Sequence, residues 1–227
     1  MKYYKLTFSS NIKEVGKIPQ SEECLIGDIQ QDFIPWQGKI DFDFKLPEPN
    51  LENKSKQTSY INVVAIPSFF IVIDDEFLNF LRVFNIGNYQ DWKISTWLNK
   101  KEIIDKYNLF LLNDTKQSKY INFSKSEFYS KKLGDWNNSS IQKPFFVKNY
   151  DEYVSVKEKL RKDKLMLLHR KVTLDLSDVT EDMFRIINAP SGGYFVSEKL
   201  KIAIEENNFT GMEFTEISKL DKVEVIY

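Results

Sequence analysis

The stretch Gly192–Ile217, GGYFVSEKLKIAIEENNFTGMEFTEI, constrains the fold more than any other part of this 227-residue chain. Gly192 and Gly193 break the chain before a β-favouring run, Tyr194-Phe195-Val196. Ser197 follows at a helix N-cap position, where its hydroxyl can accept from an exposed amide of the next turn. Glu198 in that turn suits the positive end of the helix dipole. Leu200, Ala203 and Ile204 form an apolar stripe at helical spacing. Asn207 or Asn208 closes the helix in a left-handed conformation, and Phe209 is expected to fold back onto the stripe. Thr210-Gly211 turns the chain into a second strand carrying Met212, Phe214 and Thr215. A helix of about eleven residues and a strand of about five are each ~16 Å long, so the pieces match in length. So short a helix needs a sheet to pack on, and these strands supply one.

A second stretch follows the same order. Phe69–Ile73 reads as a buried strand, Asp74 as its helix cap, and Asp75 and Glu76 as the acidic first turn. Phe77, Leu78, Leu81 and Phe84 form the stripe, Asn85-Ile86-Gly87-Asn88 the break, and Tyr89–Ile94 the returning strand. The predicted fold is therefore α/β (α+β), with mixed sheets flanked by short helices and two related halves. The polar run 134–143, with Asn137-Asn138-Ser139-Ser140, is read as the connecting loop. It would separate an N-terminal half, 1–133, holding the unit 69–94, from a C-terminal half, 144–227, holding the unit 194–217.

Asp182-Met183-Phe184-Arg185-Ile186, then Tyr194–Leu200 (YFVSEKL), then Asn208–Phe214 (NFTGMEF) together resemble a superfamily of bacterial immunity proteins from polymorphic toxin systems, formerly a domain-of-unknown-function family. About 45 residues carry the likeness well. The 69–94 unit and Tyr107–Phe128 carry it more loosely, and the leading 60 residues not at all. The resemblance implies a two-part α/β protein that binds and neutralises a cognate toxin domain. It brings no shared catalytic set, and the residues that carry it are of structural type.

Composition narrows the function classes. Thirty-two Lys and Arg against 33 Asp and Glu give a net charge of −1, which disfavours a nucleic-acid binder needing a basic excess. The lone Cys24 excludes an internal disulfide and suits a reducing compartment. The first 30 residues lack the apolar core of a signal peptide, and no apolar run reaches the ~20 residues of a membrane span. The expectation is a cytoplasmic protein with neither a nucleic-acid nor a membrane partner.

Tyr3–Phe8 reads as an opening strand with Tyr4, Leu6 and Phe8 on one face. Ser21–Trp36 reads as irregular. Lys39–Leu46 alternates most cleanly, with Ile40, Phe42, Phe44 and Leu46 opposite Asp41, Asp43 and Lys45, and predicts a strand with one wet side. Pro47–Ser59 reads as an exposed loop and Tyr60–Ile66 as returning β structure. Tyr107–Leu112 is an apolar strand with Tyr120–Phe123 as its hairpin partner. Asn149 caps a helix over Tyr150–Asp163, Lys164–Leu176 is a long strand, and Thr180 opens a short helical turn.

The residues capable of chemistry are few. One His and one Cys cannot supply zinc spacing, and no run matches a calcium loop, so no metal or cofactor is expected. Asp41-Phe42-Asp43 has paired-carboxylate spacing but falls on the wet face of its strand. His169 is placed at a strand end with no nucleophile elbow to serve. Glu22 and Glu23 would raise the pKa of Cys24 and blunt it as a nucleophile. Ser191-Gly192-Gly193 lacks a P-loop lysine. Trp92, Trp97 and Trp136 could line a sugar-binding face, although aromatic residues more often fill a core.

The acidic residues Glu22, Glu23, Asp28, Asp32, Asp41, Asp43 and Glu48 outweigh Lys39 and Lys45 between 22 and 48. An inhibitor of a basic toxin needs such a surface for steering and complementarity, so Glu22, Glu23, Asp28, Asp32, Asp41 and Asp43 are the expected partner-binding residues. A small carboxylate-based enzyme and a carbohydrate- or ligand-binding module are the alternatives.

Overall fold

The computed structural model describes residues 1–27, 34–35, 38–113 and 119–227. Its strands form an α+β fold of three sheets joined by short helices, the first of them α1 (Ile12–Val15). In the first sheet β1 (Tyr3–Phe8) lies between β11 (Gly193–Ser197) and β12 (Met212–Glu216), antiparallel to both, with β10 (Met183–Ile186) beyond β11. Helix α4 (Glu198–Glu206) links β11 to β12, so these two strands run parallel with β1 inserted between them.

The second sheet repeats this device. Its order is β2 (Glu23–Ile26), β3 (Glu48–Leu51), β6 (Tyr89–Leu98), β7 (Glu102–Leu112), β5 (Ile71–Asp74) and β4 (Tyr60–Ile61). Helix α2 (Asp75–Leu81) connects β5 to β6, and β7 sits antiparallel between them. Both strand-cap-helix-strand units are thus split βαβ motifs, although the inserted strand comes from the chain start in one and follows the unit in the other. Both caps act as the sequence implies. Asp74 accepts from Phe77 N at 2.9 Å, and Ser197 Oγ accepts from Leu200 N at 3.1 Å.

The third sheet is β13 (Val223–Ile226), β9 (Leu165–Asp175) and β8 (Glu127–Lys132), covered on one side by α3 (Tyr150–Lys162), which Asn149 caps. The loop 134–143 is mostly exposed. Strands on its two sides nevertheless pair across it, β1 with β11 and β12, and β8 with β9.

Strand alternation places three cores. Leu6, Tyr194 and Val196 face the core that α2 and α4 share, with Ile73, Phe77, Leu81, Leu200 and Ile204. Tyr3, Phe184 and Phe195 face the opposite side, towards Tyr120, Phe128, Tyr153 and Leu174. A third core under β6 and β7 holds Leu51, Val72, Ile94, Leu109 and Leu111. Phe209 folds back through its amide, which donates to Ile204 O, but its ring reaches the other unit, 5.0 Å from Phe77 and 4.7 Å from Phe80. Phe8 does not join Leu6 inside and is exposed.

Several expectations are corrected. Lys39–Leu46 forms no strand. Ile40 is instead bound by the Gln90 side chain, whose amide accepts from Ile40 N and donates to Ile40 O, each at 2.8 Å. Strand β2 lies in the stretch read as irregular, and buried β3 lies in the one read as an exposed loop; Asn50 carries β3, donating to Glu23 and accepting from Lys100 N. Tyr120–Phe123 pairs through Ile121 with Leu174, not with β7, whose two sides are already taken by β5 and β6. Thr180 opens no helical turn, because its carbonyl is held by the Asn85 side chain on the way into β10.

Candidate functional site

The segment containing Asp182-Met183-Phe184-Arg185-Ile186 ties the two βαβ units together. Asp182 is 4% exposed. Its carboxylate accepts from Ser197 Oγ at 2.8 Å, Lys199 Nζ at 3.2 Å and the Asn85 amide at 3.2 Å. Its own amide donates to Asn85 O at 2.6 Å. Ser197 therefore donates to Asp182 while capping α4, and Asn85, in the break after α2, is locked to the same carboxylate. Tyr194 extends the seam by donating to Phe69 O at 2.8 Å and accepting from Leu112 N at 3.3 Å. Arg185 Nη1 also donates to Phe69 O, at 3.1 Å. Burial pushes the Tyr194 hydroxyl up to about 12 and lowers the Arg185 guanidinium from its ordinary value. The sequence marked these residues only as parts of a motif; their partners in the other unit lie 82 to 125 residues away and leave no local signal.

Beside this seam a cavity of about 370 Å³ opens between the first sheet and the β4–β5 edge of the second, with Lys5, Ile61, Val63, Ile66 and Gly193 in its wall. A smaller hollow of about 290 Å³ adjoins it at Ser68 and Gly192–Gly193, bordered by Arg185. Burial lowers the pKa of Lys5, and no carboxylate among the described residues pairs with it. Sequence reading passed over Lys5 because alternation within β1 gives no hint of a cleft.

The expected acidic face is divided. Glu22 and Glu23 border an open polar hollow with Asn50, Glu52 and Lys100. Lys17 bridges Glu22 at 3.1 Å and Glu52 at 3.4 Å, and Lys100 meets Glu23 at 2.7 Å. Asp41 and Asp43 are exposed on their non-strand segment and join no ion pair among the described residues. Asp28 and Asp32 lie outside the described residues.

The remaining candidates separate by environment. Cys24 is half-buried on β2 against the third core. Trp92 packs edge-on to Phe44 and Phe70, while Trp97 donates to Glu48 at 2.6 Å. Trp136 stands 90% exposed, and no ring contact joins any two of the three. Asp75 carries no special pairing with its capping neighbour; it binds Asn108 and Lys93.

His169 is within β9 and not at a strand end. Its ring lies 5.2 Å from Phe128 and 6.0 Å from Tyr153, and Nε2 has no hydrogen-bond partner among the described residues. Burial lowers its pKa from 6.5 to about 4, against a hydrogen bond to the Asn188 backbone. The unfolded chain thus binds the extra proton between pH 6.5 and 4, so stability rises with pH across that window and falls on acidification. Moving from pH 7 to pH 5 is expected to cost about 2 kcal/mol through this one residue. His169→Phe should flatten that part of the curve in urea melts run at each pH. An unchanged slope would mean that the ring is solvated.

No protein-family model matches this chain, and no curated protein matches it.

Proposed function

We propose that this chain is a cytoplasmic immunity protein that binds the toxin domain of a bacterial polymorphic toxin system and neutralises it stoichiometrically. It acts by covering the toxin's active site or substrate face, without chemistry of its own. The observation that carries the reading is the DMFRI…YFVSEKL…NFTGMEF resemblance. The roles of its residues support it, since Asp182, Tyr194 and Ser197 join two βαβ units, as a motif of structural type should. Partner recognition then falls to surface that the motif leaves open, and Asp41 and Asp43 are exposed carboxylates of that kind.

Long-range steering acts mainly on association. Asp41→Asn with Asp43→Asn is expected to slow binding to the toxin encoded by the neighbouring gene several-fold and to flatten its salt dependence. Stability should change by no more than about 0.5 kcal/mol, because both side chains are exposed. Surface-binding kinetics at two salt concentrations measure this. A wild-type rate and slope would move the contact to the cleft beside Lys5. Failure of the neighbouring toxin to bind at all would remove the immunity reading itself. Turnover on an ester, phosphate or glycoside panel, abolished by one carboxylate substitution, would replace it with an enzyme.

A further inference from the structure

The third sheet has an outer side that belongs to none of the three cores. Phe128 and Ser130 of β8 are buried, so alternation sends Tyr129, Lys131 and Leu133 outward. The β8–β9 register sets Met166 beside Lys131 and Leu168 beside Tyr129 on the same outer side. The chain then turns and returns along β8. Ser140 Oγ accepts from Lys132 N, Gln142 N donates to Ser130 O, and Phe145 and Phe128 exchange two backbone hydrogen bonds. This hairpin leaves large apolar side chains in water: Leu133 is 70% exposed, Trp136 90%, Ile141 48% and Phe146 64%. Isolated exposed apolar residues need no explanation, but four within fourteen positions beside a sheet face that is only partly buried do.

The charge on this stretch itself is mostly positive, with Glu127, Asp151 and Glu152 flanking it and Glu152 accepting from Lys148 N at 2.5 Å. Between 128 and 150 the chain has Lys131, Lys132, Lys143 and Lys148 against Asp135 alone. The Asp135 carboxylate is turned onto its own loop, accepting from the amides and hydroxyls of Ser139 and Ser140. Leu133 N donates to Lys164 O at 3.0 Å, which brings a fifth lysine to the rim. Lys132, Lys143, Lys148 and Lys164 are exposed, and among the described residues none of the four is in an ion pair.

We propose that this hairpin docks on an anionic lipid surface, with Leu133, Trp136, Ile141 and Phe146 at the boundary of headgroups and acyl chains and the lysines over the lipid phosphates. Lysine is depleted at protein–protein interfaces, whereas tryptophan beside lysine is the pairing of the headgroup layer. Lysine stems lie along apolar surface while their ammonium groups stay in water. A nucleic acid would meet the charge but offers no apolar layer for Leu133, Ile141 and Phe146. Surface attachment requires no membrane span, so it runs against the expectation of no membrane partner without needing a long apolar run. It is independent of the immunity reading.

The test is sedimentation of the full chain with vesicles of phosphatidylglycerol and phosphatidylcholine in equal parts, and with phosphatidylcholine alone. Binding is expected to the first at low salt, to weaken steeply as salt rises, and to be far weaker to the second. Trp136→Ala should weaken it about tenfold or more, because the indole is the largest apolar body at the tip. Replacing Lys132, Lys143, Lys148 and Lys164 together by Glu should abolish it. All five positions are exposed, so an unchanged melting temperature verifies that each variant is folded. Absence of binding to the anionic vesicles at low salt would overturn the proposal, as would equal binding by Trp136→Ala or equal binding to the neutral vesicles. A dimer that Trp136→Ala dissociates would overturn it too, since a second copy would then cover this face.

Discussion

Phe195→Ala is expected to lower the free energy of unfolding by about 3–5 kcal/mol, the range for removing a fully buried aromatic ring. Phe195 is 1% exposed and stacks on Phe184 at 5.6 Å, and Phe184 in turn stacks on Tyr120 at 4.6 Å and meets Tyr3 edge-on at 5.2 Å. The four rings come from strand β11, strand β10, the segment after β7 and strand β1. They therefore pin the first sheet to the third. Truncation leaves a hole walled by rings that backbone hydrogen bonds hold in register, so little collapse can relieve it. Urea melts with an unchanged m-value measure the loss. A loss below about 1 kcal/mol would mean that Phe195 is not in the core. Although one motif carries both, Phe195 and Ile204 do not share a layer. They sit on opposite faces of one sheet, because Phe195 alternates with Tyr194 and Val196, and it is those two that face α4.

Local signals carried the helices well. Asp74, Asn149 and Ser197 were readable as caps because a capping side chain bonds an amide three residues along, which is a property of the sequence itself. The split βαβ units were readable as strand-cap-helix-strand, but the inserted strand was not, since β1 reaches its partners 188 or more residues away. Lys39–Leu46 shows why alternation alone can mislead. Ile40 has the burial of a strand residue, 4% exposed, yet its backbone partner is the Gln90 side-chain amide, and no pattern in 39–46 foretells that. Strands β2 and β3 were hidden by polar residues that the fold satisfies from afar. Asn50 is buried because Glu23 and the Lys100 amide bind it. The candidate partner residues follow the same division. Exposure of Asp41 and Asp43 was legible from their alternation, whereas the neutralisation of Glu22 by Lys17 and of Glu23 by Lys100 depends on pairings made only in space.

Gly211→Ala is expected to cost about 3–5 kcal/mol, by adding backbone strain to a backbone collision. Gly211 has φ +89°, a region that L residues rarely adopt, and strain there costs about 1–3 kcal/mol. A Cβ at this position would lie 2.0 Å from Tyr60 O and 2.5 Å from Thr58 Oγ1. Neither neighbour can retreat cheaply. Tyr60 N donates to Thr210 O at 3.1 Å, and Thr58 Oγ1 donates to Tyr60 O at 2.7 Å while accepting from Gln20. Gly211 also accepts from Ser9 N at 2.9 Å and donates to Glu14 at 2.6 Å, so displacing it disturbs the start of the chain as well. The glycine of the NFTGMEF stretch is thus a point of close backbone approach between the two sheets, between β4 of the second and the turn into β12 of the first. Gly134→Ala separates strain from collision. Gly134 has φ +78°, and a Cβ there meets nothing within 4 Å. Its variant should lose only the conformational part, about 1–3 kcal/mol. The difference between the two variants in matched urea melts then measures the close approach. Equal losses at Gly211 and Gly134 would mean that the two units are not in backbone contact at this turn.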